Sequence, residues 1–493
     1  MNKKVNTFQN VVMLILFLFV VIFLLFLNRL TAVDELWNFQ NVCKMSNGLK
    51  IYTDANVIIT PIFFYVASFL CKLFGANIVV FRIYNVLIYI GIFGATYKIL
   101  KDLKACKYFL VLYIALIIEF MFPIINAGAN YNMLAIALAL MGLNLYVNKK
   151  NNNINQGILI FLIFFTKQNI GVLYAMAIII YELYKNKFSK KFILDQLKKF
   201  LFFIIPTGIM ILQMYLNGNL LDFINYAFGG LFDFGTNNIT FVADSFFLLM
   251  PIVVIILYIF VCVKKNNLLK DIINQEVFDN LTLLFIFSMM MTFIIYPIIN
   301  TAHVLMVMPL YLIFVFYLFD VLILESLFGE EKYVENIKWM SIAIGFILVV
   351  RIVANLSAIS DARFITDENS HFYGIYVLNS IVEKSEEIEE YIKEQNENGI
   401  DVMILASDAA YPMINLEQSH GVYDLLFNGN MGYNGIEKIK EDLSNRENTQ
   451  VLIVTEFEDL FWQESLEIRD FIQENFESTG EICNYTIYSI NCK

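Results

Sequence analysis

Uncharged apolar runs, each long enough to cross a bilayer, recur along this chain as far as about Leu356 and then stop. A soluble core cannot bury so many such runs, so their repetition sets the class before any motif is read. Only 16% of the 493 residues are charged, where a soluble chain carries about a quarter. The 47 Phe and 27 Tyr against 7 Pro and 22 Gly describe long helices with few breakers. A formal net charge of -11 leaves no basic face for nucleic acid. Residues 1–356 therefore read as an all-α polytopic membrane domain. Residues 357–493, dense in Asp and Glu, read as a small water-soluble α/β domain.

The runs begin near Val11, Ile78, Phe109, Tyr131, Ile154, Gly171, Phe200, Phe246, Leu281, His303 and Ile337, giving about eleven transmembrane helices. The breaks between them alternate in charge. One set holds Lys3 and Lys4, the lysines of 98–107, Lys149 and Lys150, the lysines of 185–199, Lys264 and Lys265, and Lys332 and Lys338. The other set, over 29–76, 126–130, 167–169, 217–244 and 300–302, is poor in cations. Basic loops stay inside. The N-terminus is thus expected to be cytoplasmic and the C-terminal domain extracytoplasmic, on a multi-pass protein of the cell membrane.

Two segments need separate treatment. Segment 57–74 is apolar, but a crossing there would put the 98–107 lysines outside, and Pro61 and Lys72 fall within it. It is expected to lie in or dip into the outer interface. Segments 151–166 and 170–184 are short for full spans and flanked by basic loops. They are expected as a hairpin turning outward at Lys167, with a re-entrant pair of the same parity as the alternative. The six Cys do not make a disulfide framework, and free thiols are expected. The first run is too long for a cleavable signal and is followed by no small-residue cleavage site.

The first outer loop is the most informative. It reads Arg29-Leu-Thr-Ala-Val-Asp34-Glu35-Leu-Trp37, then Gly48-Leu-Lys-Ile-Tyr52-Thr-Asp54, Pro61-Ile-Phe-Phe-Tyr65, Leu73-Phe-Gly75 and Phe81-Arg82. Adjacent carboxylates here either cap the interface helix that follows or act as a general base whose pKa is tuned by partial desolvation at the lipid–water boundary.

The order of Asp-Glu after the first span, Gly-x-x-x-Tyr, Pro-x-x-x-Tyr, Leu-Phe-Gly and an Arg opening the second span resembles the GT-C superfamily of membrane glycosyltransferases. Among its members the pattern is most similar to the protein O-mannosyltransferases and lipid A aminoarabinose transferases. The resemblance covers roughly residues 1–180 and extends further only through helix count and topology. It implies a GT-C fold, a polyprenyl-phosphate-linked sugar donor, and Asp34 as catalytic base with Glu35 beside it. Tyr52, Asp54 and Tyr65, in the same loop, are candidate substrate contacts. The chain departs from the family pattern in two places. Thr60 stands where many relatives have Lys, and 126–132 carries Asn126, Asn130 and Asn132 where an acid is common. Asn cannot serve as a base, so Asn130, Tyr131 and Asn132 are expected to bond sugar hydroxyls or orient a ligand. Glu119 either supplies the missing charge or pairs with a neighbouring helix.

A phosphate at the outer interface calls for cations, and few are on offer. Lys167 in Phe165-Thr-Lys-Gln-Asn169 is the leading candidate and matches the family's Thr-Lys; the alternative is a snorkelling helix-end lysine. Arg82 either grips phosphate bidentately or pairs with Asp34 or Glu35. His303 either donates to phosphate or acceptor or is a satisfied interface residue. No protein metal cluster is expected, since His371 and His420 lack partners at ligand spacing. A divalent cation held by Asp34 and Glu35 with the donor phosphate stays open. Loop 217–244 reads as a lid or a connector.

The expected function is transfer of a hexosyl or pentosyl unit, with inversion, from a polyprenyl-phosphate sugar to a glycan, lipid or protein acceptor at the outer membrane face. The alternatives are a lipid-linked glycan flippase or transporter, which would place charges mid-span, and a membrane-anchored scaffold. The orientation is directly testable. Cysteines introduced near Lys190 should be shielded from an impermeant thiol reagent in intact cells, and ones near Glu394 should be labelled. The reverse pattern would invert the topology.

Overall fold

The computed structural model describes residues 11, 14–30, 33–105, 109–128, 130–242, 245–266, 269–270, 272–324, 343, 345–347, 350–351, 353–357, 359–406, 409–418, 430–432, 435–454 and 465–491. Of the described residues, 71% are helical. It divides into two compact units. One comprises Met1–Leu27, Arg82–Ile209 and Thr240–Ser357; the other comprises Asn28–Phe81, Met210–Ile239 and Ala358–Lys493. The second unit gathers nearly the same segments that the charge pattern groups outside the lysine-rich breaks: 29–76, 217–244 and the C-terminal region.

The first unit is built from apolar helices. They are α1 (Leu14–Leu27), the greater part of α4 (Ile78–Asp102), α5 (Leu110–Asn126), α6 (Tyr131–Val147), α7 (Asn153–Phe164), α8 (Gln168–Asn186), most of α9 (Lys190–Asn217), α12 (Met250–Lys264), α13 (Gln275–Thr292) and α14 (Thr301–Phe319), with the two-residue strands β1 (Thr240–Phe241) and β2 (Ile298–Ile299) paired in parallel between them. Among the described residues five helices are long and apolar enough to cross a membrane: α4, α9, α12 with the preceding turn, α13 and α14. The expected eleventh span, from Ile337, lies largely outside the described residues. Helix α14 is the centre, with 83% of its apolar window buried against α5, α6, α12 and α13; α9 and α12 bury only 11% of theirs and present apolar faces outward. Helix α9 also begins ten residues before the expected Phe200, because its first turns are basic and amphipathic and lie outside the apolar run.

The segment expected as a hairpin is α7 and α8, joined through Phe165–Lys167. At about 1.5 Å per residue, the 12 residues of α7 fall short of a 30 Å hydrocarbon core. Two glycines permit the packing. A Cβ on Gly171 would stand 2.4 Å from the Phe164 Cα, and one on Gly142 would stand 1.7 Å from the Tyr174 hydroxyl. That hydroxyl donates to Gln156 Oε1 at 2.7 Å, tying α8 to α7 beneath α6.

The second unit combines helices from 28–81 and 210–239 with a mixed sheet. Residues 33–46, expected as loop, form helix α2 (Val33–Ser46), which packs on α3 (Ile62–Phe74). Helix α3 has 13 residues and ends at Gly75, whose φ of +97° suits glycine. Further on come α10 (Leu220–Ile224), a π-helical turn and α11 (Leu231–Asn237), one helical stretch where a lid or connector was expected. The C-terminal residues contribute β3 (Ala362–Phe364), β4 (Tyr376–Leu378), α15 (Asn379–Glu397), β5 (Asp401–Ile404), α16 (Ala410–Asn415), α17 (Gly435–Asn445), β6 (Thr449–Ile453), α18 (Leu466–Asn475), β7 (Glu477–Ile482) and β8 (Tyr485–Ile490). The four-stranded sheet has order β5-β6-β8-β7; β5 and β6 are parallel and the other pairs antiparallel.

Alternation along β5 sends Val402 and Ile404 to one face, with Ile388, Ile392 and Met413, and Met403 to the other, with Ile439, Leu443, Ile468 and Ile472. The sheet is therefore covered on both sides. The outer-loop segments and C-terminal residues share contacts within this unit. Phe39 of α2 meets Phe372, which stacks on Tyr411 at 4.1 Å, and Leu30 N–H donates to the Tyr376 carbonyl at 2.8 Å.

The described cysteines, Cys43, Cys71, Cys262 and Cys483, are free thiols. Burial pushes the Cys71 thiol up to about 12 and holds Cys43 well above its ordinary value, so both stay protonated. The glycine contacts give a stability prediction. Gly171→Val should overpack the hairpin by about 1–3 kcal/mol and lower the melting temperature in detergent. Gly94→Ala, where an added Cβ meets nothing within 4 Å, should leave it unchanged or raise it.

Candidate functional site

In the second unit the two acids stand in the first turn of α2, not ahead of a later helix. Consecutive residues on a helix point about 100° apart, so Asp34 is exposed while Glu35 is 2% exposed. Both lie at the positive end of the helix dipole. Asn38, one turn on, donates to the Asp34 carbonyl at 2.8 Å. Helix α2 also buries polar atoms that have no hydrogen-bond partner among the described residues: Trp37 Nε1, Asn38 Oδ1 and Gln40 Nε2. Sequence reading passed over these side chains. Their signal was a polar stripe following an acid pair.

The rest of the outer loop is occupied in holding its own shape. Tyr52 is 1% exposed with φ +72°, and its hydroxyl donates to the Ile59 carbonyl at 2.8 Å. Asp54 accepts from the Lys50 backbone N–H at 2.7 Å and closes the turn. Tyr65 is half-buried on α3, and burial raises its phenol pKa. The loop is fastened to residues 217–223: Lys50 Nζ reaches the Asn217 carbonyl (3.0 Å), Thr53 bonds Asp222 (2.8 Å), Asn219 bonds the Ile51 carbonyl (3.1 Å), and the Tyr52 and Phe223 rings lie 5.2 Å apart.

In the first unit a second group of candidates comes together. Lys167 precedes α8 without a side-chain cap, and its Nζ lies 4.5 Å from the centre of the Tyr131 ring at the start of α6. Lys167 also acts electrostatically on His303, at the start of α14. His303 Nδ1 meets Asn300 Oδ1 at 2.8 Å, and Asn300 caps α14. Asn130 caps α6, accepting from the N–H groups of Asn132 and Met133, so its side-chain oxygen serves the helix; Asn132 is half-buried beside it. Thus a cation, an aromatic ring and an imidazole are gathered at three helix starts.

Arg82, in the first turns of α4, is 1% exposed. Three residues on, Asn85 is buried with neither side-chain atom bonded to a described residue. It too was missed by sequence reading, though a lone Asn one turn beyond an Arg in an apolar helix is a usable signal. Glu119 sits apart from these groups on α5. Its Oε1 takes two bonds from Arg351, at 2.6 and 3.0 Å, and the guanidinium lies 5.0 Å from the Phe122 ring. Its Oε2 is buried without a described partner. Among the described residues no group of three or more His, Cys, Asp or Glu is placed to hold a metal. A cation at Asp34 would need phosphate oxygens from a ligand to complete its shell.

No family model matches the chain, and no curated protein matches it. Solved structures do. The chain is similar in fold to ArnT from Cupriavidus metallidurans in the apo state, with a TM-score of 0.57, 11% identity and 98% of each chain covered. It is similar to the same protein bound to undecaprenyl phosphate, with a TM-score of 0.54, 11% identity and 98% of each chain covered. The chain therefore shares the fold of ArnT over nearly its whole length.

The two readings of Glu119 separate experimentally. If its work is to pair with Arg351, Arg351→Ala should lower the melting temperature, and adding Glu119→Gln should recover part of the loss. Loss of ligand binding in Glu119→Gln at unchanged melting temperature would assign it to the ligand instead.

Proposed function

We propose that the chain is an integral membrane glycosyltransferase that moves a sugar from a polyprenyl-phosphate carrier to an acceptor at the outer face of the cytoplasmic membrane. The observation that carries this reading is the ArnT fold over 98% of the chain, combined with an exposed acid at the start of α2 and a Lys–Tyr–His group at helix starts. The undecaprenyl phosphate held by the similar structure supports a polyprenyl-phosphate donor here.

In the proposed reaction Asp34 accepts the proton of an acceptor hydroxyl or amine as that atom bonds the anomeric carbon. The bond from the anomeric carbon to phosphate oxygen breaks on the opposite face, with inversion. Polyprenyl phosphate departs with the electron pair, its charge met by Lys167 and Arg82, with His303 as a hydrogen-bond donor. Tyr131 steers the Lys167 ammonium through its ring face. Asn132 and Asn85 are assigned to sugar hydroxyls, whereas Tyr52 and Asp54 hold the shape of their own loop and Asn130 opens α6. Glu35, buried behind Asp34, fixes the turn that presents it.

The test is incubation of purified protein with a panel of polyprenyl-phosphate sugars and detection of released polyprenyl phosphate. Asp34→Asn should reduce turnover by about 100-fold or more with donor binding retained, and Glu35→Gln should reduce it less. Lys167→Ala should raise the donor KM. Near-normal turnover in well-folded Asp34→Asn would remove the catalytic assignment of Asp34, and no release of polyprenyl phosphate from any donor would favour a lipid-linked glycan flippase.

A further inference from the structure

At the lysine-rich end of the first unit, away from the residues above, the helices enclose a polar cavity of about 690 Å³. Its wall carries Lys149, Lys185 and Lys191 together with Glu182, Asp195, Glu276 and Asp279. Beside it, α7, α8 and α9 leave a groove of about 540 Å³ with an almost wholly apolar lining, including Phe164, Val172, Ala175, Met176, Ile193 and Phe200. The two spaces share α8 and α9 and are joined by one buried network. Glu182 on the cavity side accepts from Tyr146, and from Gln196 and Lys199, which line the groove.

A polar chamber at helix ends that adjoins an apolar furrow along the same helices matches an amphipathic ligand, with its head in the first and its chain in the second. The charges define the head. Lys149 pairs with Glu276 at 2.9 Å, Lys185 pairs with Asp279, and Lys199 pairs with Glu182. What is left is one cation and one anion, four residues apart on α9. Lys191 forms no ion pair with a described residue, and Asp195 accepts an amide N–H from Asn153 at 2.9 Å on one oxygen. A purely anionic head would meet Asp195 uncompensated, whereas a head with both an ammonium and a phosphate is matched at each end.

We infer that this end of the membrane unit is a binding site for a zwitterionic phospholipid of the phosphoethanolamine class. Its phosphate lies at Lys191, its ammonium at Asp195, and one acyl chain in the α7–α8–α9 groove. The inference needs only that the unit lies in a bilayer and is independent of the catalytic reading.

Native mass spectrometry of the full-length protein in detergent tests it, with phosphatidylethanolamine and phosphatidylglycerol of identical chains added at equal concentration. Phosphatidylethanolamine should be retained about tenfold more, equivalent to about 1.4 kcal/mol. Asp195→Asn should abolish the preference. Lys191→Ala should reduce retention and Lys191→Arg preserve it, which separates a lost charge from a lost fold. Ala175→Phe, filling the groove, should reduce retention of both lipids. Equal or greater retention of phosphatidylglycerol, or retention untouched by Lys191→Ala and Ala175→Phe, would overturn the assignment.

Discussion

The first N–H groups of a helix have no partner within it, and leaving them bare at a lipid boundary is costly. This chain meets the constraint with asparagine. Asn130, Asn152, Asn274 and Asn300 accept from the opening N–H groups of α6, α7, α13 and α14. Where these helices start, and so which side chains stand at their mouths, follows from those caps. Asn130 sets Tyr131 in the first position of α6, facing Lys167. Asn300 both opens α14 and holds the His303 ring. The chemistry gathered in the first unit is thus a by-product of how its helices begin.

Hydropathy made the apolar helices readable from the sequence. Helix α2 escaped because its residues balance to neither extreme. It buries Asn38, Gln40, Asn41 and Lys44 alongside Leu36, Phe39 and Val42, so protein rather than lipid surrounds it and no apolar stripe marks it. Strand β7 escaped for the opposite reason, since most of its residues are exposed at the sheet edge. Within the second unit the acidic tail forms the sheet, and ring contacts such as Phe39 with Phe372 join it to segments hundreds of residues earlier.

For the candidate site, sequence identified residues by position but not by what they are committed to. Tyr52, Asp54 and Asn130 each have the polar group occupied by a turn or a cap. Lys167 and Asp34 stood out by the same criteria and have helix-start positions suited to the roles proposed. The difference lies in hydrogen bonds to backbone carbonyls and amides, which leave no trace in residue type. Asn85 and the polar face of α2 show the converse: buried amides without partners become informative only once burial is known.

The fastening of residues 50–53 to 217–223 has a mechanical consequence. Three hydrogen bonds and a ring contact anchor both the entry to the helical stretch 220–237 and the loop that follows α2. Swinging one strand of this join would strip polar atoms from the other, so the two are a single girder rather than a flap and its frame. Grafting a different 220–237 segment would therefore require transplanting residues 50–53 with it.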